Sequence, residues 1–229
     1  MPPLQFCANL TWLFTELPEI MEAAWPYEED LQELKRARKK PPGRRAGARG
    51  SPGERAEFRR GLEQAMEYAQ FCSAKVAKEM ENIFIQNLDY AADLLSKKDM
   101  TGLIEPINTR ITDPAYFLDS PHHAVAILER LGKPNLKLQM DVFHWQIMDG
   151  NLTQNILKYF PLIGHVQVAQ VPVRNEPDTP GELNYSYLWD VLERQHYQGF
   201  VGCEYRPLGG TAAGLGWLRD YWTRTEAQG

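Results

Sequence analysis

Four oxygen-bearing side chains, Glu105, Asp141, Gln167 and Glu204, stand in or at the ends of four short apolar runs, TGLIEPIN, LKLQMDV, HVQVAQV and GFVGCEY. Their separations are 36, 26 and 37 residues, and each gap is about what one strand, one helix and the connections between them consume. In parallel barrels the C-terminal strand ends converge on one mouth, so side chains far apart in sequence can meet there. Three carboxylates crowded into a half-buried mouth repel one another, and a divalent cation removes the conflict. Oxygen donors favour a hard ion such as Mg²⁺ or Mn²⁺, with coordination positions left open for a bidentate substrate. A single acid at a strand end is more often a loop cap than a ligand. Four in successive units, beside the apolar Leu103, Ile104, Leu138, Met140, Val201 and Cys203, imply a burial that unpaired carboxylates would resist.

The elements that must position these residues follow from periodicity. LQFCANL (4–10) alternates as a first strand. Residues 54–70 carry Phe58, Leu62, Ala65, Met66 and Ala69 at helical spacing. From 73 to 97 the apolar set Val76, Met80, Ile83, Phe84, Leu88, Ala91, Leu94 and Leu95 predicts a helix with one core-facing stripe. From 101 onward strands alternate with amphipathic helices, the pattern of repeated βα units on a parallel sheet. Strands are expected over 101–108, 136–142, 165–171 and 199–205, and helices over 121–131, 151–160 and 185–195, with a last amphipathic segment at LGWLRDYW. Ser120 reads as an N-cap, Pro121 as the first helical residue and Gly132 as the stop.

Composition excludes several classes. With 229 residues, of which 43% are hydrophobic and 11% aromatic, the chain suits one globular domain over 1–229. No apolar run is long enough to span a bilayer and the N-terminus lacks a secretory pattern, so a cytoplasmic protein without membrane partners is expected. Eight of the 25 basic residues fall between Lys35 and Arg49, in a segment without acids or aromatics that reads, to about residue 53, as a solvated disordered loop. The other segments are acidic on balance, which argues against a nucleic-acid surface. Cys7, Cys72 and Cys203 are too few and too scattered for a disulfide framework or a zinc ribbon.

The segments GLIEPIN, QMDVFHWQIMDGN, IGHVQVAQVPVRNEPDTPGELNY and FVGCEYRP resemble those of hydroxypyruvate isomerases, in the superfamily of xylose isomerase and the ketose 3-epimerases. The likeness runs from about residue 76 to the C-terminus, and QFCANLTWLF and AAWPY resemble the family's first two strand ends. It implies an α/β fold of the TIM (β/α)8 type, with a divalent metal held by Glu105, Asp141, Gln167 and Glu204 and no nucleotide cofactor. It also implies that Glu105 and Glu204 move the proton, that His144 touches a substrate oxygen and that Arg174 binds a substrate carboxylate. The reaction implied interconverts hydroxypyruvate and 2-hydroxy-3-oxopropanoate through an enediolate, with a 2-oxo or hydroxy acid as the small-molecule partner. His165, two residues before Gln167, points to the same strand face and is expected to support the site from behind. His122, His123 and His196 read as surface residues. The resemblance also admits related sugar-acid isomerases and ketose epimerases, and a nuclease of the superfamily is disfavoured by the few histidines near the strand ends.

The chain departs from the pattern between its first strand and Glu105. Four βα units at about 31 residues each need roughly 125 residues, where about 95 are present. The barrel is therefore expected to be incomplete in its β2 to β4 region, and a catalytically impaired form lacking part of the barrel is the alternative reading.

Overall fold

The computed structural model describes residues 3–8 and 78–226. One compact unit comprises Met1–Ala24 and Leu88–Gly229, and a second comprises Trp25–Asn87, of which residues 78–87 are described and helical. The basic segment 35–53, the helix expected over 54–70, AAWPY, Cys72 and the expected shortfall of strands before Glu105 all lie outside the described residues.

Within the first unit five parallel strands form one sheet: β1 (Gln5–Ala8), β2 (Gly102–Ile104), β3 (Leu136–Asp141), β4 (Ile163–Val168) and β5 (Phe200–Cys203), in the order β1-β5-β4-β3-β2. Chain-adjacent strands lie side by side from β2 to β5, and β1 pairs in parallel with β5, in register from Gln5 opposite Phe200 to Ala8 opposite Cys203. A first strand returning beside the last is how a (β/α)8 sheet closes on itself. Among the described residues there are six α-helices and one 3-10 turn (Phe160–Leu162): α1 (residues 78–96, of which 88–96 belong to this unit), α2 (Pro121–Leu131), α3 (Val142–Met148), α4 (Leu152–Tyr159), α5 (Tyr185–Arg194) and α6 (Gly216–Glu226).

The sheet's two faces separate packing from chemistry. Leu138, Met140, Val166, Val168, Val201 and Cys203 alternate onto one face and are all buried. Lys137, Gln139, Asp141, His165 and Gln167 point the other way. Their phase depends on a bulge: Leu138 lies opposite Ile163, but Gln139 lies opposite His165, so β4 carries one extra residue, Gly164. That insertion brings His165 and Gln167 onto the face of Gln139 and Asp141.

The predicted caps hold. Ser120 (φ −126°) accepts a hydrogen bond from the His122 backbone amide at 3.2 Å, Pro121 opens α2, and Gly132 ends it in the left-handed region at φ 61°. Ser120→Ala is expected to lower stability by about 1 kcal/mol in urea unfolding, the usual loss when an N-cap oxygen goes. Two readings need correction. The stripe on α1 is rotated: Ala92 is its buried residue among those described, with 88 and 95 half-buried, whereas Leu94 is 44% exposed, because a helix that turns 88, 92 and 95 inward turns residue 94 aside. The strand expected through Val142 ends at Asp141, whose side chain accepts from the Phe143 amide at 2.8 Å and starts α3 with no intervening loop.

On the packing side, β1 is tied to the last helix. The Leu4 amide donates to the Tyr221 hydroxyl at 2.8 Å, which donates in turn to Glu193 at 2.7 Å. Phe6 meets Trp189, Trp217 and Tyr221 edge-on, with ring centroids 5.2 to 5.4 Å apart. Among the described residues no helix is long and apolar enough to cross a membrane.

Candidate metal and substrate site

The strand ends deliver the polar residues to one place. Glu105 follows β2 directly, Asp141 closes β3, Gln167 lies one residue from the end of β4, and Glu204 follows β5. Two linkers join them. The side-chain amide of Gln139 donates to Glu105 Oε2 at 2.8 Å and to Gln167 Oε1 at 2.5 Å. The Arg174 guanidinium donates through one nitrogen, Nη2, to Asp141 Oδ2 at 3.0 Å and to Glu204 Oε2 at 2.7 Å. Ligating atoms of Glu105, Asp141 and His144 all lie within 4.8 Å of one another, close enough to share a divalent cation.

The electrostatics are those of acids held too close. Burial, with the charges of Asp141 and Glu204 added, pushes the Glu105 carboxyl up to about 8, although Arg174 and Gln139 pull the other way. Burial also pushes Glu204 up to about 7, opposed by Arg174 and reinforced by Asp141. Asp141 is fully buried and spends Oδ1 on the α3 cap, leaving Oδ2 to face the site. A cation among these oxygens would satisfy what one guanidinium satisfies only in part.

Arg174 reaches inward because its loop is pinned. Its backbone stands in the left-handed region at φ 62°, its amide donates to Gln170 O at 2.8 Å, and its carbonyl accepts from the Arg206 amide at 2.7 Å. Asn175 donates to Arg206 O at 2.7 Å, and the buried Glu176 carboxylate accepts from the Leu208 amide at 3.0 and 3.2 Å. The loops after β4 and β5 are thereby laced together. The guanidinium carbon also sits 4.7 Å from the centre of the Phe143 ring.

His144 lies on α3, its ring buried, with Nε2 at 3.4 Å from Asp141 Oδ2 and 3.7 Å from Glu105 Oε1. Burial, aided by Arg174 and opposed by Asp141, lowers its pKa to about 4. His165 is half-buried beside Gly202, where a Cβ would come within 2.8 Å of its Nε2, so only glycine there leaves the ring its place. Burial lowers the His165 pKa too. His122 and His196 are exposed and His123 is half-buried on α2; Cys203 is a buried free thiol and Cys7 a half-buried one.

Sequence reasoning missed two residues here. Gln139 stands two positions before Asp141, and the period of two that placed His165 would have placed it on the same face. Asn108, three residues after Glu105 and fully buried, contacts the His144 ring, and no periodicity reports that contact.

Comparison with known proteins bears on what such a site serves. Residues 19–221 match a family model described as xylose isomerase-like TIM barrel. A Danio rerio protein named "Putative hydroxypyruvate isomerase" is 49% identical over 267 residues, covering 97% of this chain and 97% of its own. That aligned length exceeds the 229 residues of the chain, so the relative carries internal residues where this chain has none. A 2-oxo-tetronate isomerase of Cupriavidus necator is 41% identical over 77% of this chain and 73% of its own. Among solved structures, one from Brucella melitensis titled AP endonuclease, family 2, superposes with a TM-score of 0.70 at 38% identity, covering 96% of this chain and 99% of that one.

Proposed function

Since the chain belongs to the xylose isomerase-like TIM-barrel family, we propose that it is an isomerase that interconverts hydroxypyruvate and 2-hydroxy-3-oxopropanoate with the help of Mg²⁺ or Mn²⁺. The observation that carries the reading is the linked set of three carboxylates and one amide oxygen, contributed by four neighbouring strand ends. Glu105, Asp141, Gln167 and Glu204 would hold the cation. When bound, it would supply Lewis-acid stabilisation of the negative charge that grows on the substrate's oxygens.

The chain's own residues do the rest. One of Glu105 and Glu204 takes a proton from the hydroxymethyl carbon, the other delivers one to the adjacent carbonyl carbon, and a proton passes between the two oxygens. No redox or nucleotide cofactor is needed, because atoms and electrons balance within the substrate. In the cation-free site burial and neighbouring carboxylates hold both glutamates near neutrality, where a carboxyl group serves as acid and as base. Arg174, beside the carboxylates of Asp141 and Glu204, would present its remaining guanidinium donors to the substrate's carboxylate. His144 meets a substrate oxygen, and His165 supports Gln167 from behind.

The site suits one cation rather than a pair. Among the described residues Glu105, Asp141 and His144 form a single metal-competent group, whereas phosphodiester cleavage by paired metals needs two adjacent ones.

The test is to incubate the full chain with hydroxypyruvate and Mn²⁺ and follow the aldehyde product by NMR, with a four-carbon 2-oxo acid in parallel. Conversion that EDTA abolishes is expected. No turnover of either acid with the cation bound would defeat the proposal. A melting experiment is expected to show stabilisation by about 2.7 kcal/mol when free Mn²⁺ is about a hundred times its Kd.

A further inference from the structure

The contact of Asn108 with the His144 ring settles a point of chemistry that proximity alone leaves open. Every polar atom of the Asn108 side chain is committed. Its Oδ1 accepts from the Ile111 and Thr112 backbone amides at 3.0 and 3.2 Å, which fixes which end of the amide is oxygen. Its Nδ2 therefore presents hydrogens, one to Thr112 Oγ1 at 2.9 Å and one toward His144 Nδ1 at 2.7 Å. The backbone amide of Asn108 also donates to Nδ1, at 3.2 Å. A backbone N–H can only donate, so Nδ1 receives two donors and must offer its lone pair.

We propose that Asn108 is a positioning residue that locks His144 in the tautomer with its proton on Nε2, so that this histidine meets a substrate oxygen as an N–H donor and is excluded as a metal ligand. Nε2 is the atom that faces Asp141 Oδ2 and Glu105 Oε1. Although it lies within reach of a shared cation, a nitrogen that carries a proton has no lone pair to coordinate one. Arg174 Nη1, which can only donate, stands 3.3 Å from Nε2 and competes for a lone pair there. It is a single long contact against two donors on Nδ1 at 2.7 and 3.2 Å, and the carboxylates of Asp141 and Glu105 also face Nε2 as acceptors. The cation is thereby left to oxygen donors, which suits a hard ion, and a donor is kept for the hydroxyl or carbonyl oxygen of a 2-oxo or hydroxy acid. The inference rests on the proposed substrate site, but its primary readout needs neither turnover nor metal.

The experiment uses the full chain labelled with ¹⁵N. In the wild type, the His144 ring nitrogens are expected to show Nδ1 unprotonated and Nε2 protonated, with a ¹⁵N–¹⁵N coupling through the hydrogen bond from the Asn108 backbone amide to Nδ1. Asn108→Asp keeps the backbone donor to Nδ1 but puts an acceptor where the Nδ2 donor stood, so the Nδ1 signal is expected to shift toward the protonated position and the coupling to the backbone amide to weaken. In that variant kcat/KM for hydroxypyruvate is expected to fall by roughly 10- to 100-fold, the range for groups that orient a ligand. Electron spin-echo spectra with Mn²⁺ are expected to show no directly bound imidazole nitrogen in the wild type. A protonated Nδ1 in the wild type, an unmoved Nδ1 signal in Asn108→Asp, or a Mn²⁺-bound His144 nitrogen would overturn the proposal. If Asn108→Asp does not fold, the wild-type shifts and coupling decide it. If Mn²⁺ does not bind at all, the substrate-site reading fails while the ring nitrogens still judge the tautomer.

Discussion

Glu204→Gln is expected to slow the conversion of hydroxypyruvate by roughly 10²- to 10⁴-fold in kcat, the span that a positioned acid or base contributes, and Glu105→Gln to do the same. Glutamine keeps the shape of the side chain and can keep a hydrogen bond, but it cannot take up and release a proton. The two carboxyl groups are held at about 8 and about 7 in the cation-free site, above the ordinary range for glutamate because both are buried and face other acids. Groups held so high exchange protons near neutrality, and Arg174 beside Glu204 keeps the two environments from being equivalent. Each substitution also removes a negative charge from the candidate metal site, so the rate is to be measured at several Mn²⁺ concentrations. At saturation the lost binding is restored and the remaining deficit is that of proton transfer. Wild-type rates for both variants under saturating Mn²⁺ would remove the proposed pair.

What could be read from the chain before its structure follows from which signals are periodic. The strands at Asp141 and Gln167 and the helices at Pro121 and Tyr185 have alternating or 3.6-residue patterns several residues long, and they stand where the periodicity puts them within one to three residues, the strand at Gln167 ending at Val168 and not at Val171. Ser120, Pro121 and Gly132 were legible because caps are written in residue type. The short α3 was not: in VFHWQIM the apolar residues continue the strand's own run, and the signal that ends it is the double role of Asp141, which caps the helix with one oxygen and faces the site with the other. Gly164 likewise reads as an ordinary strand residue. Without the bulge it makes, counting by twos from Asp141 across to β4 would have put Gln167 on the wrong face. That Glu105 lies close to Asp141, and that Glu105 and Gln167, like Asp141 and Glu204, come within one linking side chain of each other, was legible as a consequence of topology, since strand ends of a parallel barrel share a mouth. The bridging by Gln139, Arg174 and Asn108 was not, because it depends on side-chain reach, which spacing does not encode.

Arg174→Leu is expected to lower the stability of the cation-free protein by about 3 to 5 kcal/mol, the loss seen when one partner of a buried ion pair is removed, and Mn²⁺ is expected to return much of it. The guanidinium is 11% exposed, Asp141 wholly buried and Glu204 17% exposed, so water cannot take over its part. Without it, one nitrogen's two bonds to opposing carboxylates disappear, and Asp141 and Glu204 are left against each other. Leucine preserves apolar contact with the Phe143 ring, which separates the loss of charge from the loss of packing. Arg174→Lys retains the charge on one nitrogen that can still meet both acids but loses the Nε hydrogen bond to Glu204 O and the planar contact with the Phe143 ring, and it is expected to fall between the two. Urea unfolding in EDTA and in Mn²⁺ reads all three proteins. A leucine variant as stable as wild type in EDTA would mean that the acids around Arg174 are already neutral without it, and the argument that this cluster calls for a cation would lose its ground. A large loss that Mn²⁺ reverses would mean that the arginine and the metal answer the same excess of negative charge, one from within the chain and one from solution.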